Sequence, residues 1–124
     1  MKLKIDHFYI KVNDLQKAIN FYENLLETKV KNIEGNRWAD FNLNNGDVYF
    51  GILNSEVDNE KPNYGDNVTP ALSTDNVQEA YKKVSSLKPK TITEIFTITH
   101  PAMYKYFQFE DPWENIWEIA EYNL

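Results

Sequence analysis

The spacing of apolar residues changes once near the start of the chain, at Asn13. Over residues 3–12, LKIDHFYIKV, the pattern alternates: Ile5, His7, Tyr9 and Lys11 fall on one face and Phe8, Ile10 and Val12 on the other. This predicts a strand whose wholly apolar face packs under a helix. Beyond Asn13 the period becomes helical, with Leu15, Ala18, Ile19, Tyr22, Leu25 and Leu26 forming one stripe. Asn13 or Asp14 is placed to cap that helix by accepting from its first free N–H groups. Three strand-like stretches follow at 28–33, 37–43 and 48–53, closed by Glu34-Gly35-Asn36 and by Asn44-Asn45-Gly46-Asp47. The Asn-Gly pair in the second closure is a strong hairpin signal.

Residues 55–66, SEVDNEKPNYGD, are polar and aperiodic and read as a connecting loop. A strand at 68–74, a cap at Asp75–Asn76 and a helix at 77–87 then repeat the opening. Val77, Ala80, Tyr81, Val84 and Leu87 lie 62 residues after Leu15, Ala18, Ile19, Tyr22 and Leu25. Lys88-Pro89 stops the helix. Further strands are expected at 91–99, 104–109 and 115–121. There the offset becomes 68, matching Phe41 to Phe109 and Val48 to Ile116, with the extra residues around His100-Pro101-Ala102. The chain therefore reads as an α+β protein of two tandem β-α-β-β-β modules with eight strands and two helices. Module one spans 1–54, the loop 55–66 and module two 67–124, within one domain. Each module's helix covers one sheet face. Curling the two sheets together would give an incomplete barrel around a cavity.

Composition narrows the function. At 124 residues, 42% hydrophobic and 15% aromatic, the chain can bury a core. It lacks any apolar run long enough for a bilayer, and its N-terminus does not read as an export signal. No cysteine is present, which excludes disulfides, thiolate nucleophiles and Cys-based zinc sites. The cytoplasm is the expected compartment. A net charge of −6 disfavours nucleic acid and suits cationic ligands. No nucleophile elbow, phosphate-binding glycine loop or dinucleotide fingerprint occurs. The sequon-like Asn67-Val68-Thr69 is followed by Pro70 and is discounted.

Three motifs carry a family resemblance: D-H-F-Y-I-K-V-N-D-L from Asp6, F-Y-E-N-L-L from Phe21, and D-P-W-E-N-I-W-E from Asp111. Together with the repeat, they resemble the vicinal-oxygen-chelate superfamily, which includes glyoxalase I, extradiol dioxygenases, and fosfomycin- and bleomycin-resistance proteins. The last motif is similar to the family's D-P-x-G-N-x-x-E ending, with Trp113 and Glu114 where small residues or Gly are usual. In the family's metalloenzymes a divalent metal is bound by residues of the first and last strands of each module. The resemblance and the offsets of 62 and 68 place His7, Phe50, Thr69 and Glu118 at these positions. Only His7 and Glu118 are good donors, against about three protein ligands at a catalytic zinc. His100, the other histidine, would join them only if its loop folded over the cavity.

Without a metal, His7 and Glu118 would form a structural pair, anchor a polar ligand, or act as acid and base. Alternation places Trp38, Tyr106 and Gln108 on the cavity side, with Tyr9, Phe50 and Tyr104, and assigns Phe41, Phe107 and Phe109 to the helix-packed core. Such rings either fill the barrel or stack on a flat or cationic ligand. The expected function is binding of a small organic ligand in an aromatic, acidic cavity without a complete metal site, with Thr69 among the lining residues. The alternative is a divalent-metal-dependent lyase, isomerase or thiol transferase. A homodimer is expected from the resemblance.

Overall fold

The computed structural model describes residues 1–2, 5–43, 46, 48–62, 68–100 and 102–122. Among them the chain forms two sheets and two α-helices, divided into two compact units, Met1–Asn63 and Tyr64–Leu124.

In the first unit, β1 (His7–Val12) leads into α1 (Leu15–Leu26), followed by β2 (Asn32–Glu34), β3 (Trp38–Asn42) and β4 (Tyr49–Asn54). Asp14 is the cap that forms, accepting from the Lys17 N–H at 3.1 Å. The sheet order is β1-β4-β3-β2, with β1 parallel to β4 and the other pairs antiparallel. Phe8, Ile10 and Val12 lie beside Phe50, Ile52 and Asn54 on the face that α1 covers. The Tyr22 and Phe50 rings meet there at 5.0 Å, both fully buried. Each such ring contributes roughly 1.5–3 kcal/mol through removal from water. At the β2–β3 turn, Gly35 takes φ 57° and Arg37 N–H closes onto the Glu34 carbonyl at 3.2 Å. Of the Asn44-Asn45-Gly46-Asp47 closure, only Gly46 lies within the described residues.

The second unit repeats the plan with β5 (Ala71–Ser73), α2 (Val77–Ser86), β6 (Thr91–Ile92), β7 (Phe96–Ile98), β8 (Tyr104–Glu110) and β9 (Ile116–Glu121). Its order is β5-β9-β8-β6, and β7 also pairs with β8. Asn76 caps α2 at the Glu79 N–H, and the Glu121 carboxylate reaches across from β9 to accept from the Val77 N–H at 2.8 Å. Phe107, Phe109, Trp117 and Ile119 form the buried face under this helix, where Tyr81 meets Phe107 at 5.0 Å.

Three expectations are corrected. The stretch 91–99 is two short strands rather than one, giving nine strands among the described residues. Between them the Thr93 hydroxyl and N–H both bond the Gln108 backbone, which breaks the regular ladder. The stretch 55–66 begins as a 3-10 helix, Ser55–Asp58, capped by Asn54, with residues 63–66 outside the described set. Arg37 holds this turn through bonds of 2.9–3.2 Å to Asp58. The third correction concerns register. Ala71 pairs with Glu118, and Tyr9, which lies 62 residues before Ala71, pairs with Gly51. Glu118 therefore corresponds to Gly51, at an offset of 67, and Phe50 corresponds to the buried Trp117. The offset of 68 holds for Phe41 and Phe109 but loses one residue in the following turn. A slip of one residue in a strand exchanges its faces.

Candidate functional site

Parallel pairing sets the first and last strands of each unit side by side. In the first unit it aligns His7 with Tyr49 and Tyr9 with Gly51 on the face away from α1. The neighbouring strand adds Trp38, Asp40 and Asn42 to that face, and β2 adds Asn32 and Glu34. Asp6, His7, Lys31, Asn32, Ile33, Glu34, Trp38, Asp40 and Tyr49 line an open groove of about 660 Å³ here.

Trp38 dominates this surface. A Cβ on residue 51 would lie 2.2 Å from Trp38 Cη2 and 2.5 Å from Cζ2, so the indole lies directly over Gly51. The Asp40 carboxylate fixes the ring there by accepting from Trp38 Nε1–H at 2.9 Å. Asn32 Nδ2–H donates to the other oxygen of Asp40 at 2.8 Å and holds it in turn. His7 meets the indole nearly edge-on at 5.5 Å, and Tyr9 meets it at 5.6 Å. Such pairs contribute about 0.5–1.5 kcal/mol each beyond their burial.

His7 Nδ1 lies 2.7 Å from Asp6 Oδ2, and the ring is 37% exposed. A carboxylate only accepts, so the neutral imidazole carries its proton on Nδ1 and keeps Nε2 as an acceptor. Asp6 is thus the partner given to His7. Glu118 Oε1 accepts from Gln108 Nε2 at 3.2 Å, its cross-strand neighbour.

In the second unit, Tyr104, Tyr106 and Gln108 share the face of β8 opposite Phe107 and Phe109, as alternation predicts. Tyr106 packs against Phe96 at 5.5 Å and Tyr104 at 5.8 Å, and Tyr104 continues the row to Tyr122 at 5.5 Å. Thr69 is half-buried and precedes β5 rather than lying in it. His100 is exposed between β7 and β8. Phe50, expected to line the cavity, lies instead in the core under α1, against Phe8, Tyr22 and Phe41.

The donor set can be tested against the metal that the family resemblance implies. With the register corrected, the four positions hold His7, Gly51, Thr69 and Glu118. Gly51 has no side chain, and the space where one would project is filled by the Trp38 ring. Among the described residues no cluster of three or more His, Cys, Asp or Glu side chains could hold a metal ion. These residues do not fit a four-ligand divalent site.

Sequence reasoning missed Asp6, Asn32, Asp40 and Gly51. Asp40 alternates with Trp38 and was legible as its neighbour on the same face. Asn32 lies on another strand and gave no local signal.

Comparison with known proteins identifies the family. Residues 4–119 match the family model of the Glyoxalase/Bleomycin resistance protein/Dioxygenase superfamily. The uncharacterized protein YwbC of Bacillus subtilis (strain 168) is 31% identical over 124 residues, covering 90% of this chain and 92% of that one. The fosfomycin resistance protein FosX of Listeria monocytogenes superposes with a TM-score of 0.76 at 15% identity, over 100% of this chain and 97% of that one. Lactoylglutathione lyase of Agrobacterium tumefaciens gives 0.68 at 15% identity, over 98% and 95%. At these identities the two structures speak for the fold alone. No helix among the described residues is long and apolar enough to cross a membrane. The chain belongs to the glyoxalase/bleomycin resistance protein/dioxygenase superfamily.

Proposed function

We propose that this protein binds a small organic molecule on the aromatic, acidic face formed by His7, Tyr9, Trp38 and Asp40, and does so without a complete metal site. The observation that carries this reading is the Trp38 indole held over Gly51, one of the four positions to which the family resemblance assigns a ligand side chain in the four-ligand metalloenzymes. The ring replaces a donor with a flat apolar surface suited to stacking. The Tyr104, Tyr106 and Gln108 face is a second candidate contact surface, and Glu118 beside Gln108 supplies a carboxylate there. A cytoplasmic location is in keeping with the absence of cysteine. Pairing into a homodimer rests on the family resemblance, and sedimentation equilibrium tests it.

The contrary reading, a metal-dependent lyase, isomerase or thiol transferase, draws on His7, whose Asp6 partner leaves Nε2 as the donor atom. A melting-temperature screen of small aromatic and cationic compounds, run with and without EDTA, separates the two. Ligands that raise the melting temperature equally in EDTA, and lose the effect in Trp38→Ala, are the expected result. Ligands that act only in the absence of EDTA would overturn the proposal.

A further inference from the structure

Resting on that reading, we infer that the groove of the first unit selects a planar nitrogen cation of the amidinium or guanidinium type, and that Asp40 is the residue that positions Trp38 for it. The chemistry of the lining argues the class. Three carboxylates, those of Asp6, Glu34 and Asp40, face one ammonium, that of Lys31. His7, with Nδ1 committed to Asp6, adds an acceptor rather than a donor while its ring is neutral. The indole N–H is committed to Asp40, so Trp38 offers the groove ring surface and no hydrogen bond. Beside the donors of Lys31, Asn32 and Tyr49, this excess of carboxylates and the exposed ring favour a ligand that brings N–H donors, a positive charge and a flat face, which are the properties of an amidinium.

The ring's placement follows from three residues together. Gly51 leaves room for the indole, Asp40 accepts its N–H, and Asn32 fixes the second oxygen of Asp40. Without the carboxylate the indole loses the bond that fixes its orientation over Gly51. Asp40 then acts on the ligand through Trp38 as well as through its own charge.

Benzamidine and benzoate, nearly isosteric and opposite in charge, serve as probes in calorimetric titrations of the full chain. Benzamidine is expected to bind at least ten-fold more tightly than benzoate and to shift the Trp38 indole N–H resonance, assigned by its loss in Trp38→Phe. Asp40→Ala is expected to weaken benzamidine about ten-fold and to move that indole resonance even without ligand. Asp40→Asn, whose amide oxygen still accepts the indole N–H, is expected to restore the resonance while recovering only part of the affinity. Benzoate binding as tightly as benzamidine, no benzamidine binding, or an indole resonance indifferent to Asp40→Ala would each overturn the inference. None of these outcomes bears on metal dependence, which the EDTA screen reads separately.

Discussion

Residue 51 and Trp38 occupy one volume between them, so a change at either is felt at both. Gly51→Ala would bring a methyl within 2.2 Å of the indole. The ring would then have to swing out and give up its bond to Asp40. Overpacking of this kind costs about 1–3 kcal/mol. A lower urea midpoint, with a displaced Trp38 indole resonance, is the expected outcome; an unchanged midpoint would contradict the contact. Glu114 is the converse case. It holds φ 70°, a left-handed conformation, at the position where the family ending has Gly. L-residues pay about 1–2 kcal/mol there. Its ion pair with Lys90 is partly exposed and worth little. Glu114→Gly is therefore expected to stabilise the chain by about 1 kcal/mol in urea titration, and a loss of stability would refute the strain.

Among the elements, β4 decides how the site is read. Its alternation sends Phe50 and Ile52 under α1 and leaves Tyr49 and Gly51 to the groove. Phe50→Ala should cost about 3–5 kcal/mol, as for other large-to-small core changes. A loss of ligand binding with stability intact would instead place Phe50 at the site. The 3-10 helix after β4 is tied back to β3 through Arg37 and Asp58. The hydrogen bond from Arg37, aided by its charge, holds the Asp58 carboxyl below its ordinary value of 3.8 and raises the Arg37 guanidinium above its own ordinary value. A depressed carboxyl contributes stability that is present above 3.8 and is lost as pH falls through the lower folded value. Both groups are at the surface, so the effect is small. Melting temperature followed from pH 7 downward should fall less steeply in Asp58→Asn than in the wild type. Identical acid limbs would show that the pair contributes nothing.

For the whole molecule, the doubled β-α-β-β-β plan was legible because both helices carry the same apolar stripe and both are capped by Asp or Asn. Strand interiors such as Phe107 and Phe109 were legible from alternation. Phe50 was misplaced because the turn after β3 is one residue longer than its counterpart after β8. Counting from Phe41 and Phe109 carried that difference into the last strand and reversed its faces. The Trp38–Asp40–Asn32 arrangement joins two strands through side chains, so no periodicity announces it. His7 lies on the helix-free face that alternation predicts, and its ring bonds its sequence neighbour Asp6.

The central claim is that this site works without the family's metal. Its most direct test is the metal content of the purified chain after loading with Ni²⁺ or Zn²⁺ and desalting, with melting temperature measured on the same samples. Metal well below stoichiometric amounts and an unchanged melting temperature are the expected result. Stoichiometric metal that raises the melting temperature and is lost in His7→Ala would contradict it.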